Sequence, residues 1–177
     1  MRRRRSVRGR GVRRLRVSPR ASLASSPFCV GDMEVTAQVR RVDPDGVWYS
    51  GLLLFSRIDA QARLSGLWFS FQRDSSEEPG SARIWALDGV DGISGRGGPA
   101  RLLCRNDRTR AIRAGEFNTL KVISEDGRHR FFINNREVCG ADEASYTTGN
   151  VAVMMGADGP EHIYQVNRVH ARTLDDG

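Results

Sequence analysis

The strongest structural signal in this 177-residue sequence is NTLKVISEDGRHRFFIN, residues 118–134. Two strand-like runs, residues 118–124 and 128–134, flank the segment Glu125-Asp126-Gly127. An Asp-Gly pair between two such runs is typical of a tight hairpin, because both residues tolerate the positive φ angles of its turn. The stretch therefore predicts two antiparallel strands joined by a short turn.

Runs of the same kind continue in both directions along the chain. Apolar and polar side chains alternate in residues 33–42 and 64–73, which is the period of a strand with one buried face. No segment of twelve or more residues carries apolar side chains at the 3.6-residue spacing of an amphipathic helix. The other predicted strands are residues 48–58, 83–87, 101–105, 150–156 and 163–172. The chain is therefore predicted to be all-β, an antiparallel sandwich of two sheets.

Turn residues separate the predicted strands. In Asp43-Pro44-Asp45-Gly46, proline fixes its own φ and glycine takes the positive φ of a turn. Residues 74–81 and 157–160 are predicted to be polar connections, and the glycine-rich residues 88–99 a long flexible loop. This loop lacks the Lys-Ser/Thr pair of a phosphate-binding loop and does not open a helix, so it is interpreted as a loop only.

The basic charge of the chain is concentrated at its N-terminus. The net charge is +7, yet residues 1–31 hold ten arginines and no acidic residue, and the remainder is mildly acidic. Arginine, glycine and serine cannot bury enough apolar surface to fold. We therefore predict a disordered basic leader at residues 1–31, a β-sandwich domain at 32–173 and a short tail at 174–177.

Several roles are open for the leader. Its composition is also that of an organellar transit peptide or of a nucleic-acid-binding arm, and an upstream start codon translated in error would explain it equally. Nucleic acid is a predicted partner only through this segment. No hydrophobic region of a secretory signal is present in the sequence as given, and no run reaches the 18 apolar residues of a membrane span. The compartment stays open, and a truncated start would allow an extracellular or a cell-surface location.

The three cysteines, Cys29, Cys104 and Cys139, lie in none of the close pairs that a zinc site needs. A Cys104–Cys139 disulfide is one pairing that the sequence leaves open. No metal and no cofactor is predicted.

The central hairpin resembles a hairpin of concanavalin A-like domains. Residues 118–122, NTLKV, and residues 131–138, FFINNREV, are similar to the family pattern N-x-L-x-V followed by F-x-V-N-G-x-x-V. The similarity is greatest to the bacterial subgroup known as 3-keto-disaccharide hydrolase or laminin-G-like domains. Further segments that resemble the family are GDMEV at 31–35, YSGLLLFSR at 49–57, TGNVAVM at 148–154 and residues 164–169. The resemblance implies a jelly-roll sandwich over about 140 residues.

Two features depart from the family pattern. Asn135 stands where the family usually has glycine, a substitution that the left-handed tolerance of asparagine permits. The family also has a strand before the GDFEV segment, where this chain has its arginine-rich leader. If that strand is missing, one sheet edge is left open to pairing with other chains.

No catalytic residue is predicted. Glycoside hydrolysis needs two carboxylates about 5 Å or about 6.5–9.5 Å apart, and glucanases of this superfamily carry theirs as E-x-D-x-x-E on one strand, a pattern absent here. Most acidic residues fall in predicted turns, and Glu34 and Glu137 lie on strands with an outward phase. The histidines, His129, His162 and His170, have neither a nucleophile elbow nor metal spacing around them.

The aromatic residues provide the candidate ligand site. Trp68 is out of phase with Leu67, Phe69 and Phe71, so its side chain is expected to face away from the core. An indole on an open sheet face can pack against a sugar ring while nearby polar groups bind the hydroxyls. The predicted ligand-binding residues are Trp68, Arg57, Gln72, Arg83, Trp85 and Tyr49. The alternative is that a loop covers Trp68, and that Trp48 and Trp85 are simply core.

The favoured function is therefore a non-catalytic module that binds carbohydrate or another extended ligand. The alternatives are a structural or protein-interaction module from a truncated larger protein, and a glycoside hydrolase acting on keto-disaccharides.

Overall fold

The computed structural model describes residues 6–8, 13–17, 22–26, 31–42, 48–73, 79–91, 100–157 and 162–174, and all regular structure within them is β. The strands are β1 (Ser6–Arg8), β2 (Arg13–Val17), β3 (Ser22–Ser26), β4 (Met33–Arg41), β5 (Trp48–Ile58), β6 (Arg63–Arg73), β7 (Gly80–Asp91), β8 (Ala100–Thr109), β9 (Asn118–Glu125), β10 (Arg128–Ile133), β11 (Arg136–Asp142), β12 (Asn150–Ala157) and β13 (His162–Thr173). In these ranges no helix is long and apolar enough to cross a membrane.

The strands form two antiparallel sheets. One sheet has seven strands in the order β1-β13-β4-β9-β10-β11, with β2 also paired to β13. The other has six strands in the order β3-β12-β5-β6-β7-β8. Neighbouring strands in each sheet are often distant in sequence, as in β13-β4-β9, which is the connectivity of a jelly roll. The predicted all-β sandwich is confirmed.

The structure also differs from the predicted strands in three places. The hairpin of β9 and β10 is as predicted, but it continues into β11, which the sequence pattern did not predict. Asn134 and Asn135, with φ angles of 49° and 65°, form the turn between β10 and β11, so Asn135 does adopt the left-handed conformation. β7 and β8 are longer than predicted, and β7 takes in the first residues of the glycine-rich stretch, whose remainder, residues 92–99, lies outside the described residues.

Segments of the leader pair with the sheet edges. β1 and β2 lie along β13, and β3 lies along β12, each in antiparallel register. These three segments lie within the leader for which the sequence predicts disorder. The rest of the leader, residues 43–46, for which a turn is predicted, and the residues beyond 174 lie outside the described part of the chain. The domain boundaries therefore stay predictions.

The core lies between the two sheets. β4 alternates strictly between buried and partly exposed residues, as its sequence period predicts. Phe69 and Phe71 of one sheet and Phe131 of the other are completely buried, and the Phe69 and Phe131 rings meet edge to face at 6.0 Å. Burial of one such side chain contributes roughly 1.5–3 kcal/mol. The packing of these aromatic rings therefore stabilises the contact between the two sheets.

A disulfide joins the two sheets at one edge. Cys104 of β8 is bonded to Cys139 of β11, with the Cα atoms 5.9 Å apart. β8 and β11 are the last strands of their sheets. The bridge that the sequence left open is therefore formed, and it closes one side of the sandwich.

His129 lies in the core between Phe55 and Phe69, with no exposed surface. Its Nε2 lies 2.8 Å from the carbonyl oxygen of Glu143, which can only accept, so Nε2 carries the proton of the neutral ring. Nδ1 is buried and has no hydrogen-bond partner among the described residues. Burial lowers the pKa of His129 below 6.5. His129 is therefore a neutral residue of the core.

Stability is expected to fall as the pH drops below about 6.5. In that range the unfolded chain protonates His129 while the folded chain keeps it neutral, so the free energy of unfolding falls by up to about 1.4 kcal/mol per pH unit until the lowered pKa of the folded state is reached. Urea unfolding of the wild type and of His129→Gln, which does not titrate, measures this slope.

The Glu143 carboxylate does not contribute to the pH dependence of the free energy of unfolding in this range. Its pKa is lowered from 4.5, first by its hydrogen bonds with Ser145, so its contribution is lost only at lower pH. Equal slopes for the wild type and His129→Gln between about pH 6.5 and 5 would contradict the assignment to His129.

Candidate functional site

The outer face of the six-stranded sheet carries a row of apolar side chains in direct register. The row runs across five strands through Ala152, Leu53, Trp68, Trp85 and Leu102. We call this surface, together with Tyr49, Gln72 and Arg83 on neighbouring positions, the tryptophan face. The two indoles lie side by side at its centre because Trp68 and Trp85 are paired across β6 and β7.

Trp68 faces away from the main core, as its sequence phase predicts. It packs with Trp85 against a second, smaller apolar cluster on this face, and both indoles are only partly buried. The ring of Tyr49 meets Trp68 edge to face at 6.1 Å. The members of the smaller cluster are Leu53, Leu64, Leu87, Val90 and Ala152. Trp68 is therefore partly open and partly core, between the two predicted alternatives.

Two nitrogen atoms of the tryptophan face are buried without hydrogen-bond partners among the described residues. They are Trp68 Nε1 and Arg83 Nε. A buried donor without an acceptor costs about 1–3 kcal/mol, so proteins rarely leave one unpaired unless another molecule supplies the acceptor. Both atoms lie below the surface of the tryptophan face, so a ligand on that face would contact the rings and the outer polar groups.

Charged groups flank the indoles along β7 and β8. Arg83 Nη2 lies 3.9 Å from Asp107 Oδ1, and Asp107 Oδ2 lies 2.5 Å from Arg105 Nε. The hydrogen bond from Arg105 lowers the pKa of Asp107 below its usual range. These pairs hold Arg83 beside Ser70 and the tryptophan row.

The structure brings together five of the six predicted site residues. Tyr49 and Gln72 are paired across β5 and β6, in the same phase as Trp68. Arg57 lies elsewhere, at the end of β5, where its Nη2 donates to Thr148 Oγ1. The bulge after Leu54 in the β5–β6 pairing shifts the register before Arg57 is reached, so Arg57 is not grouped with the other five residues. The ligand-binding roles stay predictions.

A cavity of about 470 Å³ lies at the end of the sandwich where Arg57 contacts Thr148, and we call it the rim pocket. Its volume lies within the range of about 300–1,000 Å³ that is usual for small-ligand sites. It forms where the β5–β6 turn, the end of β7 and the loop between β11 and β12 meet. The lining residues are Phe55, Arg57, Ile58, Asp59, Ser65, Asp88, Ser145, Tyr146 and Thr148.

One wall of the rim pocket is fixed by Asp59. Its Oδ1 accepts the backbone N–H groups of Gln61 and Arg63, both at 2.9 Å, and its Oδ2 accepts Arg63 Nε at 2.8 Å. The backbone hydrogen bond from Arg63 is the largest cause that lowers the pKa of Asp59. Asp59 is therefore occupied in shaping the β5–β6 turn.

The opposite wall is fixed by Glu143 and Tyr146. The Glu143 carboxylate accepts the Ser145 N–H at 3.0 Å and is paired with the Arg101 guanidinium. The Tyr146 hydroxyl donates to the carbonyl oxygen of Leu87 at 3.0 Å, and burial raises the pKa of Tyr146. These bonds tie the β11–β12 loop to the end of β7.

Sequence patterns single out only Arg57 among the rim-pocket residues. The sequence predicts Asp88 to be the first residue of a loop, and Tyr146 lies outside every predicted strand. In the described parts of the chain, no group of three or more His, Cys, Asp or Glu residues could hold a metal ion.

Known structures share this architecture. The chain is similar to the carbohydrate-binding module CBM66 from Bacillus subtilis, with 15% identity over 88% of this chain and 84% of that one, at a TM-score of 0.65. It is also similar to a legume lectin-like domain from Entamoeba histolytica, with 10% identity over 96% and 90% of the two chains and a TM-score of 0.62. The chain has a lectin-like jelly-roll fold.

The same jelly roll occurs in an enzyme. The kappa-carrageenase from Pseudoalteromonas carrageenovora, solved with an oligotetrasaccharide of kappa-carrageenan, is 12% identical over 85% of this chain and 67% of that one, with a TM-score of 0.61. No protein-family model and no curated protein matches the sequence. Structural similarities at identities this low show the lectin-like jelly-roll fold alone, and the activity is argued from the site.

Proposed function

We propose that this jelly roll is a non-catalytic module that binds an extended carbohydrate on its tryptophan face. The observation that carries the proposal is the pair of adjacent, partly open indoles, Trp68 and Trp85, on the outer side of the six-stranded sheet. Aromatic rings supply apolar area for the C–H face of a sugar and lose little conformational entropy when they do so.

The polar surroundings of the indoles support a hydroxyl-rich ligand. Gln72 and Arg83 lie beside the indoles in the same strand phase, and amide and guanidinium groups can hydrogen-bond to sugar hydroxyls. The face spans several strands, so neighbouring units of a chain can lie across it. This arrangement favours an extended glycan over a small compact ligand.

Hydrolysis receives less support from the same geometry. A glycosidase needs two carboxylates that face one scissile bond. Asp59 and Asp88 both line the rim pocket, but both oxygens of Asp59 already accept hydrogen bonds from its own turn. The finer resemblance to 3-keto-disaccharide hydrolases therefore rests on fold-bearing segments alone, and we favour binding over cleavage.

Truncation of Trp68 tests the proposal. We expect Trp68→Ala to weaken glycan binding at least about thirtyfold, since loss of a central tryptophan from an interface typically costs about 2 kcal/mol or more. A broad glycan array identifies the ligand, and calorimetric titration of wild type and variant gives the two dissociation constants. Because Trp68 also packs on the smaller apolar cluster, circular dichroism of the variant is measured alongside.

The matched control is Phe132→Ala, which removes an aromatic ring from the outer side of the other sheet, where Lys121 lies 4.5 Å over it. This variant should bind as the wild type does. If no glycan on the array binds, or if a folded Trp68→Ala binds with unchanged affinity, the proposal fails and a protein-interaction role becomes the better account.

A further inference from the structure

The rim pocket contains two charged groups that the local structure leaves available. Asp88 is exposed, and no described residue donates a hydrogen bond to it or forms an ion pair with it. Arg57 donates one N–H to Thr148 Oγ1 and forms no ion pair with any described residue. A guanidinium has five N–H donors, so most of its donor capacity remains.

We propose that the rim pocket is a second binding site, which takes one uncharged, terminal glycosyl unit between Asp88 and Arg57. Two neighbouring hydroxyls of a sugar ring can donate to the carboxylate and accept from the guanidinium at the same time. The site is separate from the tryptophan face and requires none of its residues. The proposal goes beyond an extended glycan lying across the sheet.

The charge of the rim pocket favours a neutral ligand. Arg57 and Asp88 have opposite charges, and the charge of Asp59 is matched by its ion pair with Arg63. The pocket therefore has no excess of positive charge to attract a sulfated or uronic sugar. Hydroxyl groups, which both donate and accept, match a carboxylate and a guanidinium without leaving a charge unpaired.

Apolar surface is present beside these polar groups. Ile58 is 63% exposed, and the ring of half-buried Tyr146 is held in place by its hydroxyl bond to Leu87. Both can pack against the C–H groups of a sugar ring. Ser65, Ser145 and Thr148 add small hydroxyl-bearing side chains to the lining.

The shape of the rim pocket favours the end of a chain over its middle. Phe55, only 2% exposed, belongs to the main core and forms the inner wall. The β5–β6 turn and the β11–β12 loop, fixed by Asp59 and Glu143, close two sides. Because these walls block the path of a chain through the rim pocket, the pocket can take the end unit of a glycan. The tryptophan face, in contrast, is open along its whole width.

The test is a titration with monosaccharides followed by ¹⁵N–¹H spectra. The probes are the methyl glycosides of glucose, galactose, mannose, N-acetylglucosamine and fructose, each taken to about 50 mM so that millimolar affinity is detected. We expect at least one probe to shift the amide signals of Arg57, Asp88 and Ser145. Asp88→Asn and Arg57→Gln should each weaken its binding about ten- to a hundredfold, as expected for the loss of a hydrogen bond to a charged group.

Two control variants distinguish the rim pocket from other parts of the surface. Glu125→Gln removes an exposed carboxylate outside the rim pocket and should leave the affinity unchanged. Trp68→Ala should also keep monosaccharide binding, so the two proposals can fail independently.

Two outcomes would overturn the inference: no shift with any of the sugar probes, and shifts that survive both Asp88→Asn and Arg57→Gln. Where no sugar shifts the signals, free leucine is titrated in the same way. Shifts with leucine would then mean that Arg57 and Asp88 hold the carboxylate and ammonium groups of an amino acid.

Discussion

Replacement of Cys104 and Cys139 by serine is expected to lower the free energy of unfolding by about 3–4 kcal/mol. The bridge closes a loop with a sequence separation of 35 residues, and the loss of that loop restores the corresponding conformational entropy to the unfolded chain. The expected size follows from the length of this loop, and the bridge also joins edge strands of different sheets, which no backbone ladder connects. Urea unfolding of wild type and double variant measures the difference.

Two controls accompany the cysteine experiment. The wild type treated with reductant should match the double variant, and Cys29→Ser should match the untreated wild type, since Cys29 forms no part of this bridge. An unfolding midpoint that reductant does not change would contradict the account of how the sandwich is closed at this edge.

Gly149→Ala is expected to cost about 3 kcal/mol or more, from backbone strain and overpacking together. Gly149 has a φ of +152°, and a Cβ atom there would lie 2.3 Å from the carbonyl carbon of Phe55. Phe55 cannot move aside easily, because its ring is buried in the core and its own φ is +56°. Thermal and urea unfolding of the variant test the expected loss.

Gly115→Ala is the matched control for this substitution. Gly115 also has a positive φ, of +69°, but nothing lies within 4 Å of an added Cβ. Its variant should lose only the strain, about 1 kcal/mol. Equal losses for the two variants would mean that the approach of Phe55 to Gly149 does not constrain the β11–β12 loop, and with it the rim pocket.

The fold could be predicted where the sequence period and the turn chemistry agree. The β9–β10 hairpin has both, and β4 shows the alternation of a strand with one buried face. β11 was missed because Cys139-Gly140-Ala141 has no clear alternation, and its pairing to β10 includes a bulge after Phe131. The leader strands were not predicted because their sequences show no apolar periodicity. Their backbone groups pair with the edge strands β13 and β12, and these edges exist only in the folded protein.

For the candidate sites too, features set by one strand could be predicted, whereas features set by contacts between distant segments could not. The phase of Trp68 could be read from its own strand, and the structure places it on the outer face as expected. Its partial cover could not be predicted, because it depends on the cross-strand register of Leu53 and Trp85. The rim pocket unites three segments that are distant in sequence, at residues 55–65, 88 and 145–148, so no local pattern reveals it.

The indole N–H signals of Trp68 and Trp85 provide the most direct test of the tryptophan face. In a ¹⁵N–¹H spectrum with the glycan selected by the array, we expect both indole signals to shift, because the sugar packs against the partly open rings of Trp68 and Trp85. Indole signals that stay in place while the bound glycan shifts amides of the seven-stranded sheet would contradict the account.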